Sequence, residues 1–100
     1  MPAARDYREH LDEVFRDPAE AVDYLNAALA DSDPDVFLLA LRDVARAREG
    51  GIAGLAEATA LNREHLYRIL SERGNPALRS LEAVLDALGF RLAVELKESA

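Results

Sequence analysis

Apolar residues fall into helical stripes along most of this chain, separated by short polar punctuation. Tyr7, Leu11, Val14 and Phe15 stand at i, i+4, i+7 and i+8, one face of a helix from about Asp6 to Arg16. Asp17-Pro18 follows, an aspartate cap before a proline at the first helical position, and predicts a second helix to about Asp31 with Val22, Leu25 and Leu29 inward. Asp33-Pro34 repeats the signal. The third helix, Pro34 to about Glu49, is apolar without a break from Val36 to Leu41, and Val44 and Ala45 extend its stripe. A helix apolar on nearly every side belongs at the centre of a core. Gly50-Gly51 ends it and lets the chain turn. Arg42, Arg46 and Arg48, near its C-terminal end, suit the negative pole of the helix dipole better than an external ligand.

The stretch Gly51–Pro76 reads as two short helices with almost nothing between them. Ile52, Leu55, Ala56 and Thr59 make one stripe, and Leu66, Ile69 and Leu70 the other. In the intervening Ala60-Leu61-Asn62, Leu61 plugs the angle between the helices and Asn62 caps the second. Two helices joined by so short a turn form a helix-turn-helix. Opposite Leu66, Ile69 and Leu70, the second helix turns outward Glu64, Tyr67, Arg68 and Ser71, with Arg63 and His65 on its flanks. Such side chains suit DNA: arginine forks onto guanine, glutamate accepts from cytosine, and asparagine or tyrosine reaches phosphate. A solvated helix face carrying arginines has the same composition.

After the loop Ser71–Pro76, Asn75-Pro76 predicts a last helix running to Leu88, with Leu78, Leu81, Val84, Leu85 and Leu88 inward and Gly89 beyond its end. The period then changes. Phe90, Leu92, Val94 and Leu96 alternate with Arg91, Ala93, Glu95 and Lys97, the pattern of a half-buried strand. No other segment alternates, and a lone strand cannot satisfy its backbone. The simplest partner is the same strand of a second copy, antiparallel about a two-fold axis. A strand completed by a different protein, or a frayed tail, is the alternative. The expected architecture is all-α, about six helices in one domain. Acidic N-terminal helices occupy 1–33, a helix-turn-helix core 34–88, and a dimerisation strand 90–96.

Charge complicates the DNA reading. The 100 residues carry a net −7, which taken alone argues against nucleic acid. Residues 1–50 hold six arginines against twelve acids, a net of −6, and residues 51–100 hold six basic residues against seven acids, a net of −1. Yet 62–79 holds Arg63, Arg68, Arg73 and Arg79 against Glu64 and Glu72, a net of +2. The one basic window lies on the second short helix and the loop after it. The acidic half suits a basic protein. The absence of cysteine fits a reducing cytoplasm, the N-terminus has no signal-peptide h-region, and no apolar run approaches the roughly 18 residues that span a membrane.

Catalysis finds little purchase. There is no glycine-rich phosphate loop, no HExxH and no nucleophile elbow. Asp6, His10 and Glu13 have the spacing for a surface metal site, but on so acidic a helix a solvated cluster is the simpler account. No enzyme activity, metal or cofactor is expected.

From about Asp17 to Leu96 the chain resembles the probable addiction-module antidote family, HigA-like antitoxins of the lambda-repressor-like (Cro/C1-type) helix-turn-helix superfamily. The resemblance is carried by Asp17-Pro18, Tyr24–Leu29, Phe37–Ala47, Leu61–Tyr67, Gly74-Asn75-Pro76 and Leu88-Gly89. It implies a cytoplasmic antitoxin that binds and neutralises a RelE/HigB-like toxin and, as a homodimer, represses its own operon by binding operator DNA. Matched residue by residue, it implies base-facing roles for Arg63, Glu64 and Arg68, backbone contacts for Asn62 and Tyr67, and phosphate contacts for Arg73 and Asn75. Two departures bear on DNA affinity. Ala53-Gly54 replaces the usual Thr-Gln, losing a phosphate contact, and Gly54 costs about 1 kcal/mol of helix stability. Ala60 replaces a turn glycine, at roughly 1 kcal/mol if that position needs a positive φ. The alternative is a protein-binding module that keeps the helix-turn-helix scaffold but no longer binds DNA.

Overall fold

A computed structural model describes the backbone of residues 4–98 and the side chains of residues 7–98. Its elements are six helices: α1 Ala4–Phe15, α2 Pro18–Leu29, α3 Pro34–Ala47, α4 Gly51–Thr59, α5 Arg63–Ile69 and α6 Leu78–Ala87. The two Asp-Pro signals work as read. Asp17 Oδ1 accepts from the Ala19 N–H at 3.0 Å and Asp33 Oδ1 from the Asp35 N–H at 2.9 Å, each with proline opening the helix. The side chain supplies the acceptor that the first helical turn lacks, while proline removes a donor that would have none.

Helix α3 is the spine. Phe37, Leu38, Ala40, Leu41, Val44, Ala45 and Ala47 are buried along it, and α1, α2 and α4 pack against it. Its C-terminal end is tied down from several sides. Arg16 Nε donates to the Ala47 carbonyl at 3.1 Å, Arg46 pairs with Asp43 at 2.8 Å, and the Arg48 guanidinium lies 5.3 Å from the centre of the Phe90 ring. Arg46 and Arg48 are thus engaged by neighbouring side chains of the same fold. Asp43 also accepts from the Tyr24 hydroxyl at 3.2 Å. Burial first, and then the Asp43 carboxylate, push the Tyr24 phenol above its ordinary range. The Tyr24 ring meets Phe15 at 4.4 Å between centroids.

Three sequence expectations are corrected. The first concerns α2, which turns Ala21, Leu25 and Ala28 to the core and leaves Val22 and Leu29 exposed. Ala21, Leu25 and Ala28 stand at i, i+4 and i+7, a helical stripe of their own that a reading weighted by hydrophobicity passes over in favour of valine and leucine. Tyr7, assigned to the inner stripe of α1, is exposed as well.

The second concerns the start of α6. It begins at Leu78 with Ala77 as its uncapped N-terminal residue, so Asn75-Pro76 precedes the helix rather than opening it. Leu78, expected inward, is exposed, while Leu81 is half-buried and Val84, Leu85 and Leu88 are buried.

The third concerns the C-terminal segment. No strand is present among the described residues, and 90–98 carries no regular structure. Gly89, at φ +88°, donates to the Asp86 carbonyl at 2.9 Å, and the Phe90 N–H donates to the Leu85 carbonyl at 2.8 Å. These two bonds are a Schellman cap. Phe90 thus belongs to the end of α6, its ring half-buried against the core. The alternation expected from Phe90 through Leu92, Val94 and Leu96 has no backbone partner within one chain. Leu92 is partly exposed, and Val94 and Leu96 are 99% and 98% exposed.

Candidate nucleic-acid interface on α4 and α5

The geometry of this pair begins at its turn. The Thr59 hydroxyl donates to the Leu55 carbonyl at 2.8 Å, and its oxygen accepts from the Leu61 N–H at 3.2 Å. Ala60 sits at φ 61°, ψ 16°, the left-handed conformation at which Cβ crowds the backbone. Leu61 then packs against the core between the two helices. Asn62 caps α5, its Oδ1 accepting from the His65 N–H at 2.7 Å. One carbonyl of Asn62 is spent on this, and its side-chain amide remains as a donor.

Burial of one face of α5 fixes the other. Leu66, Ile69 and Leu70 are buried, with Leu66 and Leu70 fully so. Arg63, Glu64, Tyr67 and Arg68 are exposed. Arg68 does not stand alone, because its Nη2 donates to His65 Nδ1 at 2.6 Å. Arginine has no acceptor atom, so Nδ1 is the acceptor in this contact. Ser71, assigned to the outward face, is half-buried, and its hydroxyl donates to the Arg68 carbonyl at 2.7 Å, which occupies it at the end of α5.

The loop after α5 returns two more of the expected residues to the same place. A shallow depression of about 410 Å³ is lined by His65, Arg68, Ser71, Arg73, Asn75, Ala77 and Ser80, among others. Arg68, Arg73 and Asn75 therefore share one surface, and Arg63, Glu64 and Tyr67 lie along the helix beside it. The loop is held by Gly74, whose N–H donates to the Ser71 carbonyl at 3.0 Å. A Cβ at Gly74 would stand 2.7 Å from the Ile69 carbonyl carbon, too close for any side chain. Among the described residues none of Arg63, Arg68 and Arg73 is in an ion pair, so their charge faces water.

The sequence places Ser71 on the outward face of α5 and His65 on its flank, neither with a specific contact, and assigns Ser80 no role. The i, i+3 spacing of His65 and Arg68 was visible there, but that they would bond was not. No group of three potential metal ligands converges among the described residues. The side chain of Asp6, needed for the Asp6–His10–Glu13 reading, lies outside them.

Fold and surface together define a small helical protein with one cationic helix face on an acidic body. The chain belongs to the family described as probable addiction module antidote protein, whose model matches residues 6–96. An uncharacterized protein of Haemophilus influenzae (strain ATCC 51907 / DSM 11121 / KW20 / Rd) is 36% identical over 72 residues, 72% of this chain and 72% of that one. No solved structure matches. An addiction-module antidote implies a cognate toxin as partner. No helix among the described residues is long and apolar enough to cross a membrane.

Proposed function

We propose that this chain is the antitoxin of a type II toxin–antitoxin module, that it neutralises a RelE/HigB-like toxin by binding it, and that it represses its own operon as a homodimer. Family membership supports the antitoxin role. The observation that carries the DNA half is the two-sided construction of α5, where Leu66, Ile69 and Leu70 anchor the helix while Arg63, Glu64, Tyr67 and Arg68 stand outside.

In this reading α4, the turn and α5 act as a helix-turn-helix of the lambda-repressor-like kind. Arg63 and Arg68 contact base edges with Glu64. Asn62 and Tyr67 touch the backbone, and Arg73 and Asn75 hold phosphate beside the first turn of α6. Phosphate contacts set position and the base-edge contacts set sequence. Two-fold pairing puts two α5 helices on one duplex, about one helical turn or roughly 34 Å apart. The apolar residues of the C-terminal segment, Leu92, Val94 and Leu96 with Phe90 beside them, supply the surface for that pairing.

The competing reading is a protein-binding module without DNA affinity. The net −7 favours it, as does Ala53-Gly54 on α4, where a phosphate-binding side chain is missing. Co-expression with the product of the adjacent gene tests the antitoxin half: a stable complex and rescued growth are expected. Free toxicity with no complex formed overturns it.

A further inference from the structure

We propose that His65 positions Arg68 for reading sequence, and that protonating His65 releases it, so that selectivity at one base pair is present with a neutral imidazole and lost in acid. This rests on the DNA-binding reading above and adds to it a specificity-determining residue and a pH dependence.

Arg68 is exposed on α5. An exposed arginine spreads over many rotamers, whereas a bidentate fork on guanine needs one. Its Nη2 donates to His65 Nδ1 at 2.6 Å, about one turn back along the helix. The acceptor is itself fixed. The His65 N–H donates to Asn62 Oδ1 at 2.7 Å, and the residue is half-buried beside Ala77 and Ser80, where α5 meets the start of α6. A neutral acceptor restrains a guanidinium without cancelling its charge. Arg46 is the opposite case, because its partner is the Asp43 carboxylate at 2.8 Å and its charge is spent within the fold. Arg68 keeps its full charge for DNA, and its guanidinium has N–H donors beyond the one given to His65.

The same contact makes the arrangement sensitive to pH. An imidazole accepts at Nδ1 only while that nitrogen has no proton, and in the imidazolium both ring nitrogens donate. Two like charges then stand where the hydrogen bond was, and the pair separates. Nothing nearby compensates. The depression beside His65 is lined by Arg68 on α5, Ser71, Arg73 and Asn75 after it and Ser80 on α6, with no carboxylate among the described residues. Glu64 and Glu72 lie outside that lining, as do Arg79, Glu82 and Asp86 on α6 and Glu57, the ionisable residue of α4. Protonation therefore sets a third cation beside Arg68 and Arg73, on the surface that faces phosphate in this reading. Binding to any DNA tightens while discrimination falls.

The test is titration of the full chain with the duplex upstream of its own gene, each base pair substituted in turn, at about pH 8 and about pH 5.5, spanning the imidazole range. Arg68→Ala identifies the pair that Arg68 reads. The parent is expected to discriminate at that pair at the higher pH and about tenfold less at the lower, where its salt slope on unrelated DNA is greater by about one. His65→Asn keeps an acceptor close to where Nδ1 stands but takes up no proton. It is expected to discriminate equally at both pH values, with an unchanged slope. His65→Ala, without an acceptor, is expected to discriminate poorly at both. Full discrimination by His65→Ala at the higher pH, or the same loss in acid from His65→Asn as from the parent, overturns the positioning role and leaves DNA binding standing. So does a sequence preference that Arg68→Ala leaves untouched. A parent chain that binds none of these duplexes at the higher pH in about 50 mM salt overturns the DNA-binding reading, and the role of His65 with it.

Discussion

Arg16 Nε donates to the carbonyl oxygen of Ala47 at 3.1 Å, joining residues thirty-one positions apart. Ala47 is the last residue of α3, so the bond satisfies a carbonyl that the helix leaves open and sets a cation at its negative end. Arg16→Ala is expected to cost about 1 kcal/mol in urea denaturation, and so to lower Tm by about 4–8 °C. Arg16→Lys keeps the charge but gives up the guanidinium geometry, and should recover only part of the loss. An Arg16→Ala variant as stable as the parent would show that the bond has no net worth.

Gly74 is required by contact rather than by its φ. Adding a methyl group would drive it into the Ile69 carbonyl at the end of α5, and backbone there cannot retreat without shifting the helix. Gly74→Ala should destabilise the protein by about 1–3 kcal/mol, the range for overpacking. It should also displace Arg73 and Asn75 on either side. Chemical denaturation reads the first effect, and amide shifts of residues 71–77 the second.

At Ala60 the sign is reversed. Its left-handed backbone costs alanine about 1–2 kcal/mol, while glycine there loses about 0.5–1 kcal/mol in unfolded-chain entropy. Ala60→Gly should therefore stabilise by roughly 0.5 kcal/mol. Ala60→Val, with a branched Cβ in the same conformation, should destabilise. Equal denaturation midpoints for all three would contradict the strain.

Tyr24 gives the chain a dependence on alkaline pH. Burial and the Asp43 carboxylate raise its pKa in the folded protein, so above the ordinary tyrosine value of about 10 the unfolded chain loses its proton first. The contribution is whole below that value and is lost as pH rises through the folded pKa. Tyr24→Phe removes the group, and its stability should fall less steeply than the parent's above that point. Parallel curves for the two proteins would mean that Tyr24 is not responsible.

Much of this architecture could be read from the sequence because local chemistry decided it. Asp17-Pro18 and Asp33-Pro34 mark helix starts by bonds made within three residues, and Gly89 marks an end in the same way. The α4–α5 turn was legible because Leu61 and Asn62 each have a local task. Other features depend on distance and partnership. Val22 and Leu29 lost their expected places to Ala21 and Ala28 because both sets share helical spacing with Leu25, and hydrophobicity alone does not choose between them. Phe90 was read as the first residue of a strand because alternation does not reveal where an N–H is already spent, here on Leu85. The exposed half of α5 could be read from the helical period. That Ser71 is used up on a carbonyl, and that His65 holds Arg68, depends on rotamers that no spacing fixes.

On the proposed reading, the outward face of α5 meets duplex DNA. The most direct measurement is the affinity of the full chain for the DNA upstream of its own gene, followed as salt is varied. Saturable binding that weakens steadily with salt is expected. Arg68→Ala should cost about 1–3 kcal/mol and relax selectivity at one base pair, and Arg73→Ala should weaken all sequences alike, with a salt slope smaller by about one. Failure of the parent protein to bind that DNA at about 50 mM salt, where phosphate contacts are strongest, would contradict it.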